Sequence, residues 1–427
     1  MKKRPRPSRR LLVAAHSHPS ISHGGAELSA IHLHNTLGAQ PGWESWFVAG
    51  ARDGSNRPGS HFAQPYDDHQ YVFDARAFDW FKYANRDRTF PREFSGVLGD
   101  VAPDIVHFHH YIILGVEAFL HVKRTLPDAR MVLTLHEFLA ICNNHGQMVK
   151  RETNVLCRES SPADCNRCYP EHGRPDFFLR KMYIMRFLDL VDHFIAPSQM
   201  LAERYVRWGL PEARVSVIEN ITMAADPAAP PPAAADRSTL RVGYFGQISQ
   251  LKGIGVVLDA AAMLLEAGDT AVQFDIHGDY SNQPKQFRDH IVEQLKEAGH
   301  NVRFHGPYDN TRVDGLMRRA DLVVVPSVWW ENSPLVIQEA FRNRRPVICS
   351  DIGGMAEKIR PGLDGFHFPV GNAAALATLL RDLAGDRTRL DALARTLRTP
   401  DPPQAVAQQH AALYELLLAA PPRVAAA

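Results

Sequence analysis

A run of branched apolar residues that leads into a helix start is the feature of this chain that most restricts its fold. Residues 321–326 read Asp-Leu-Val-Val-Val-Pro, a pattern typical of a strand buried on both faces of a parallel sheet. Farther on, Ser333 offers an N-cap hydroxyl and Pro334 suits the first helical turn, so the sequence predicts a helix that begins here. A buried strand followed by a helix is the unit of a doubly wound α/β fold.

Two carboxylates stand on either side of this predicted helix start. Glu331 lies on the loop that leaves the strand, and Glu339 lies inside the helix. Because the free N–H groups at a helix start favour an anion, a diphosphate suits this position, with a sugar on Glu331 and a ribose on Glu339. The pattern therefore indicates a nucleotide-sugar site, and the alternative is a capped helix with two solvated glutamates.

Glycine-bearing loops follow three further predicted strands. The strand at 238–244 leads into residues 245–253, which read Phe-Gly-Gln-Ile-Ser-Gln-Leu-Lys-Gly, and then into a helix predicted for 254–266. The strands at 272–277 and 346–350 also end near glycines and carboxylates. Ligands bind at the carboxyl ends of the strands in open parallel sheets. We therefore expect these loops, with Lys252, to share one site with the two glutamates.

The order of these motifs resembles the family-four retaining glycosyltransferases of the GT-B fold, and the resemblance spans most of the chain. The matching segments of the carboxyl-terminal half are Gly246 with Lys252-Gly253, Glu331-x7-Glu339, Gly353-Gly354-x-x-Glu357 and Asp364-Gly365. Those of the amino-terminal half are the strand at 11–15 with Gly24-Gly25-Ala26-Glu27, then Asp104-Ile105-Val106-His107-Phe108-His109, then Thr134-Leu135-His136-Glu137. The family usually has an arginine where Gln247 stands, so a diphosphate here leans more on Lys252 and backbone N–H groups.

The resemblance implies an α/β fold of two Rossmann-like domains that face each other across a cleft. It also implies retaining transfer of a sugar from a nucleotide-diphosphate donor to a hydroxyl of a sugar or lipid-linked acceptor, without a catalytic metal. The implied catalytic residues are His136, Glu331 and Lys252. The donor-binding residues are Gly24, Gly25, Gly246, Gln247, Asn332, Ser333, Pro334, Leu335 and Glu339, and the weaker acceptor candidates are His16, His18 and His109. Histidines at strand ends are also commonly structural.

The length of 427 residues is too great for one ordinary core. A Pro/Ala tract at 223–238 suits a linker. We therefore expect an acceptor-side domain at 1–222 and a donor domain at 239–400. A last helix within 401–427 either returns to the first domain or closes the second.

The net charge of +1 gives no indication of a nucleic-acid partner. No apolar run reaches the roughly 20 residues that a membrane helix requires, and residues 1–10 lack the apolar stretch of a signal peptide, so a cytoplasmic protein is expected. The basic residues of that segment form a solvated arm or contact an anionic membrane surface. A membrane contact would suit a lipid-linked acceptor.

Four of the five cysteines are clustered. They are Cys142, Cys157, Cys165 and Cys168. In a reducing compartment four thiolates can bind tetrahedral zinc. The segment at 142–174 lacks periodicity and is too long for an ordinary loop, so the sequence predicts an insertion held by structural zinc, or else four unliganded thiols.

Two rival functions stay open on the sequence. They are a sugar-nucleotide epimerase of the same architecture and a non-enzymatic nucleotide-sugar binding protein. A dinucleotide oxidoreductase is disfavoured because no G-x-G-x-x-G follows the first predicted strand.

Overall fold

The computed structural model describes residues 8–22, 24–51, 62–74, 77–223 and 238–421. The chain divides into two compact units, the first made of Met1–Met223 with Pro402–Ala427 and the second of Ala224–Asp401. Most of the tract expected to be a linker and residues 1–7 of the basic arm, with its expected membrane contact, lie outside the described residues. No described helix is long and apolar enough to cross a membrane.

The first unit is built on a large, mostly parallel sheet. Its strands are β1 (Arg9–Ala15), β2 (Trp43–Ala51), β3 (Phe62–Ala63), β4 (Gln70–Asp74), β5 (Phe78–Asp79), β6 (Ala84–Asn85), β7 (Ile105–Phe108), β8 (Arg130–Thr134), β9 (His193–Ala196) and β10 (Val215–Val217). Its helices are α1 (Gly25–Gly38), α2 (Phe90–Val101), α3 (Ala118–Thr125), α4 (Pro162–Cys168), α5 (Arg174–Leu188) and α6 (Gln199–Trp208). The sheet order is β10-β9-β8-β7-β1-β2-β4-β3, with only β3 antiparallel to its neighbour, and β5 pairs with β6 in a separate ribbon.

The second unit contains a fully parallel sheet. Its strands are β11 (Leu240–Phe245), β12 (Val272–His277), β13 (Val302–Gly306), β14 (Leu322–Val325), β15 (Val347–Ser350) and β16 (Gly365–Phe368). Its helices are α7 (Ile254–Glu266), α8 (Lys285–Glu297), α9 (Val313–Met317), α10 (Leu335–Arg342), α11 (Gly353–Glu357), α12 (Ala373–Gly385) and α13 (Thr388–Thr396). The order β13-β12-β11-β14-β15-β16 confirms the predicted doubly wound topology.

In each sheet the chain order reverses at one point, which determines where loops converge. In the first unit β1 lies between β2 and β7, and in the second β11 lies between β12 and β14. Successive crossovers turn opposite ways there, so the loops after the two flanking strands separate and leave a crevice for ligands. The loops after β1 and β7, and those after β11 and β14, are therefore the positions at which the fold presents functional side chains.

The last helix, α14 (Pro403–Ala419), belongs to the first unit. Its Tyr414 is fully buried against the core that β1, β2 and α1 form. The Nε of Arg130 donates to the carbonyl of Leu417 at 2.8 Å, which places a cation at the carboxyl end of the helix, where the helix dipole favours positive charge. The sequence left open whether this helix returns to the first domain or closes the second, and the structure places it in the first unit.

Candidate functional site

In the second unit, the loops that leave β11 and β14 bring Lys252 to Glu331. The Nζ of Lys252 lies 2.6 Å from Oε1 of Glu331, although 79 positions separate the two residues. Ser327 Oγ at 2.8 Å and Trp329 Nε1 at 2.9 Å donate to the same oxygen. Three donors therefore fix a carboxylate whose residue is only 6% exposed.

The two charged groups of this pair each keep one side available. Lys252 is a third exposed, and its Nζ lies 5.7 Å from the centre of the Trp329 ring. Within the described part of the chain, Oε2 of Glu331 has no hydrogen-bond partner. The arrangement presents a held cation, suited to a phosphate, beside an acceptor oxygen suited to a hydroxyl.

Two glycines let the loops of this site approach one another. Gly253 has a φ of +74°, and a Cβ there would lie 2.0 Å from the carbonyl oxygen of Pro326. Gly353 has a φ of +66°, and a Cβ there would lie 2.7 Å from the carbonyl oxygen of Glu331. That same carbonyl accepts a hydrogen bond from the N–H of Gly354 at 2.7 Å. The glycine motifs therefore position the backbone around Lys252 and Glu331.

Helix α10 begins one residue later than predicted. Its N-cap is Pro334, with ψ of 123°, and no side chain caps it, so the prediction that Ser333 caps this helix is wrong. The extended ψ keeps the proline outside the first helical turn. Ser333 is buried in the preceding loop beside Asn332, and Leu335 opens the helix.

The remaining donor candidates of the second unit lie around the same edge. Glu339 is half-buried on α10, and burial, with the nearby charge of Asp314, raises the pKa of its carboxyl against the opposing effect of Arg342. Gln247 is exposed, and its carbonyl accepts from the hydroxyl of Tyr244 at 2.8 Å. Gly246, with φ of +128°, turns the chain directly after β11.

In the first unit, the loop after β1 pairs His16 with Glu27 at the start of α1. The Nε2 of His16 lies 3.1 Å from Oε1 of Glu27, which is almost fully buried. Burial alone raises the pKa of Glu27, but the hydrogen bond and the charge of His16 outweigh it, and the pKa falls to about 2. A Cβ on Gly24 would lie 2.3 Å from the Glu27 carboxylate, so the glycine leaves room for this carboxylate to fold back over the helix start, where Gly25 follows.

The strands β7 and β8 end in a group of neutral histidines. His136 Nε2 and His109 Nδ1 are 3.0 Å apart and share one hydrogen bond. Burial, reinforced by His110, lowers the pKa of His136 to about 3, and burial also holds the pKa of His109 well below its ordinary value. The Nε2 of His109 is buried without a partner in the described chain, which makes it an orphaned polar atom beside His136.

His18 is held by the protein on both ring nitrogens. Its Nε2 lies 2.9 Å from Oε1 of Gln70, its Nδ1 accepts from the N–H of Ser20, and its ring stacks on Tyr66 with 3.9 Å between centroids. With both nitrogens engaged, a structural role is favoured over the acceptor contact that the resemblance implies.

The cysteine segment has more regular structure than its sequence indicates. Ser161 caps α4, a short helix that carries Cys165 and Cys168, and residues Val149 and Leu156 pair as a small antiparallel bridge. All four cysteines line one small cavity, and the N–H of Arg151 donates to Sγ of Cys168 at 3.3 Å. Among the described residues, no three candidate ligands are arranged to hold a metal ion, so the structural zinc stays a prediction.

The comparisons with known proteins agree with this architecture in both units. The family model described as "Glycosyl transferases group 1" matches residues 239–386, and the model described as "Glycosyltransferase Family 4" matches residues 23–222. The chain belongs to these glycosyltransferases. The two matched regions contain every predicted site residue except His16 and His18, which precede residue 23.

Curated relatives of this glycosyltransferase match over part of their length. The D-inositol 3-phosphate glycosyltransferase of Nocardia farcinica is 36% identical over 152 residues, which cover 35% of this chain and 34% of the relative. The phosphatidyl-myo-inositol mannosyltransferase of Mycobacterium leprae is 29% identical over 181 residues, which cover 42% of this chain and 46% of the relative. The chain thus spans between a third and a half of the length of these relatives.

Solved glycosyltransferase structures show the same fold over nearly the whole chain. Sucrose-phosphate synthase of Thermosynechococcus elongatus has a TM-score of 0.69 at 19% identity, covering 96% of this chain and 100% of that one. Anabaena HepE, in complex with UDP and glucose, has a TM-score of 0.63 at 18% identity, covering 96% and 98%. These likenesses confirm the GT-B fold of this glycosyltransferase.

Sequence reasoning did not assign several residues that surround the predicted site of this glycosyltransferase. Trp329 and Ser327 stand within four positions of Glu331, but nothing in the pattern indicates that their donors converge on one oxygen. Glu27 was quoted only as part of a motif, and Gln70 lies 52 positions from His18. Such contacts depend on tertiary packing, which a local pattern does not contain.

Proposed function

We propose that this protein transfers a sugar from a nucleotide-diphosphate sugar to an acceptor hydroxyl, with retention at the anomeric carbon. The observation that carries the proposal is the Lys252–Glu331 pair, held at the carboxyl edge of the second sheet, just before the start of α10. The family assignment supports the reaction class, and the neighbours solved with UDP support a nucleoside diphosphate as donor group.

Departure of the nucleoside diphosphate is the step that Lys252 would assist. An ammonium group has three N–H donors, and only one is engaged by Glu331, so the others remain for phosphate oxygens. The start of α10, where the N-cap residue forms no side-chain cap, adds positive potential at the same edge. Fixed donors that meet developing negative charge lower the barrier without reorganisation at the moment of reaction.

Glu331 would bind the sugar rather than attack it. Its Oε1 already accepts three hydrogen bonds, which disperse the charge of the carboxylate and weaken it as a nucleophile. Oε2 is left to accept a hydroxyl of the sugar. Retention then proceeds without a protein nucleophile, since an oxygen of the leaving phosphate takes the proton of the incoming hydroxyl on the same face of the sugar.

His136 would contact the donor sugar as a neutral imidazole. Its lowered pKa keeps it uncharged at physiological pH, so it adds hydrogen bonds without repelling the positive charge that grows on the sugar ring. His109 orients it through the shared hydrogen bond. For the acceptor we propose a sugar or lipid-linked hydroxyl, in line with the inositol-based acceptors that the names of the curated relatives state.

Thermal stabilisation by a panel of nucleotides and nucleotide sugars tests the donor class first, because a ligand that binds only the folded state raises the melting temperature with its affinity. The stabilising donor is then incubated with candidate acceptors, and the anomeric configuration of the product is read by NMR. A product with inverted configuration would disprove retention. Release of free nucleotide with an epimerised, unattached sugar would instead identify the rival epimerase, and binding without turnover would identify a binding protein.

A further inference from the structure

A cavity of about 410 Å³ opens on one face of the second sheet, over β11, β12 and β13 and beside α9. Residues at alternate positions of each strand share this face, among them Phe245 on β11, His277 on β12 and His305 on β13. None of the residues proposed for the donor, including Lys252, Glu331 and Glu339, lines it. The cavity therefore has its own lining, but it borders the proposed donor site, since burial and then the charge of Glu339 raise the pKa of Tyr308, which lines it.

Four arginines line this cavity. They are Arg241, Arg303, Arg312 and Arg319. Across residues 8–421 where the structure is described, no carboxylate forms an ion pair with any of these four guanidinium groups. The one carboxylate of the lining, Asp275, is engaged by Nε2 of His305 at 2.8 Å. Arg303, Arg312 and Arg319 are exposed and Arg241 is half-buried, so water screens their mutual repulsion and their guanidinium groups are accessible to an anion.

Stacked rings border the same cavity. Phe245 and His277 stack with centroids 4.9 Å apart, and His277 and His305 stack at 4.4 Å. Tyr308 meets the first two rings edge-on. Burial, with His305, lowers the pKa of His277 to about 4, so the His277 ring is uncharged at neutral pH and adds apolar surface between the arginines.

We propose that this cavity binds a small phosphate ester of monosaccharide size, at a site distinct from that of the sugar donor. Guanidinium groups bind phosphate oxygens in bidentate fashion, and several around one cavity favour a dianion over a monoanion. Ring faces and edges pack against the carbon skeleton of a sugar. The volume lies within the usual range of about 300–1,000 Å³ for small-molecule sites.

Arginine labelling of the full-length protein tests this proposal without reliance on activity. Phenylglyoxal modification is followed residue by residue by mass spectrometry, with glucose 6-phosphate, inorganic phosphate, glucose or sodium chloride at matched ionic strength. At a concentration of glucose 6-phosphate ten times its Kd, occupancy predicts roughly tenfold slower modification of Arg303, Arg312 and Arg319. Arg92, which is 84% exposed in the first unit, serves as the internal control and should be unprotected.

A matched pair of variants separates a built site from general charge attraction. Arg303→Gln should abolish the protection of Arg312 and Arg319 by glucose 6-phosphate, whereas Arg92→Gln should leave it intact. Equal protection by sodium chloride, equal protection of Arg92, or protection of the three arginines that survives Arg303→Gln would each overturn the proposal. Protection by inorganic phosphate of the same strength would show that the sugar moiety contributes nothing and would refute the ester. These readouts do not depend on the proposed transferase activity.

Discussion

At Glu331, hydrogen bonds from Lys252, Ser327 and Trp329 converge on one carboxylate oxygen, so the second-unit site is organised around a single atom. The three donor groups are an ammonium, a hydroxyl and an indole N–H. Removal of any one leaves the buried carboxylate with fewer partners, which costs free energy because a buried charge requires compensation. The predictions at the scale of residues follow from this geometry.

Lys252→Ala should lower turnover at saturating donor by roughly 10²-fold, the scale of losing one preorganised electrostatic contact to developing charge. Steady-state kinetics with the donor identified by thermal stabilisation measure it. Lys285→Ala is the matched control, because Lys285 is an exposed lysine of the same unit that pairs with Asp289 on its own helix. Wild-type turnover by Lys252→Ala would remove this residue from the mechanism.

Glu331→Gln should impair transfer while nucleotide affinity stays nearly unchanged, because the carboxylate is assigned to the sugar. Glu339→Ala should do the reverse and weaken nucleotide binding by roughly tenfold or more, since a hydrogen bond to a charged group contributes about 1.5–3 kcal/mol. Calorimetry with the free nucleoside diphosphate and transfer assays distinguish the two. If Glu331→Gln loses nucleotide affinity to the same extent, the two roles are wrongly assigned.

At the scale of elements, alanine substitutions at Gly253 and Gly255 should change the free energy of unfolding in opposite directions. Gly253→Ala places a methyl group 2.0 Å from the Pro326 carbonyl oxygen at positive φ, so it should destabilise the second unit and displace the loop that carries Lys252. Gly255→Ala, inside α7 with open space around it, should stabilise by about 1 kcal/mol. Urea unfolding curves compare them, and destabilisation of equal size by both would contradict the close-approach argument.

The cysteine segment supplies a second prediction at this scale. We expect one zinc ion per chain, bound by Cys142, Cys157, Cys165 and Cys168, which share one cavity. Cys165→Ser should release the metal and speed proteolysis within residues 142–174, while nucleotide affinity stays at the wild-type value. Cys349→Ser, at a buried thiol of the second unit, is the control. Near-zero metal in protein purified without chelators or a metal-affinity tag, with all four thiols titratable, would refute the zinc.

Local patterns predicted the elements around the site because their signals are contained within short windows. The helix at 254–266 and the strand at 272–277 agree with α7 and β12 to the residue. The juxtaposition of Lys252 and Glu331 also followed, since both were placed at carboxyl ends of parallel strands. The cap at Ser333 was wrong because Pro334 adopts an extended ψ. The short capped helix α4 was missed, since one helical turn or two leaves little periodicity to detect.

At the scale of the whole molecule, buried histidines distinguish the first unit from the second. Burial lowers the pKa of several histidines of the first unit, to about 4 for His34 and His410 and to about 3 for His136. His107, whose Nδ1 lies 2.6 Å from the hydroxyl of Tyr414 on α14, is also held well below its ordinary pKa by burial. In the second unit, burial lowers the pKa of His277 to about 4. The sequence singles out His107 and His136 as motif residues, but the burial of these rings could not be predicted from it, since burial depends on the completed sheet.

The two units should therefore respond differently to acid. Each of these histidines has a lower pKa folded than unfolded, so the unfolded chain binds more protons. The contribution of these histidines to the free energy of unfolding is therefore fully present above pH 6.5. It is lost as the pH falls from 6.5 toward 4. Each such histidine contributes a slope of about 1.4 kcal/mol per pH unit within that window. Glu27 adds a further loss in the same unit as the pH falls from about 4.5 to about 2.

We expect hydrogen exchange measured by mass spectrometry at pH 7, 6, 5 and 4.5, corrected for intrinsic rates, to show protection lost first in β1, β7, β8 and α14 and later in β11, β12 and β14. His410→Gln removes one of the buried groups and should make this loss of protection shallower, provided that the variant retains wild-type protection at pH 7. The exposed His300→Gln of the second unit should leave the profile unchanged. Proton linkage requires the unit with more buried neutral histidines to lose stability more steeply as the pH falls. Parallel loss of protection in both units, or a pH profile of His410→Gln that coincides with that of the wild type, would therefore show that these histidines do not govern acid stability.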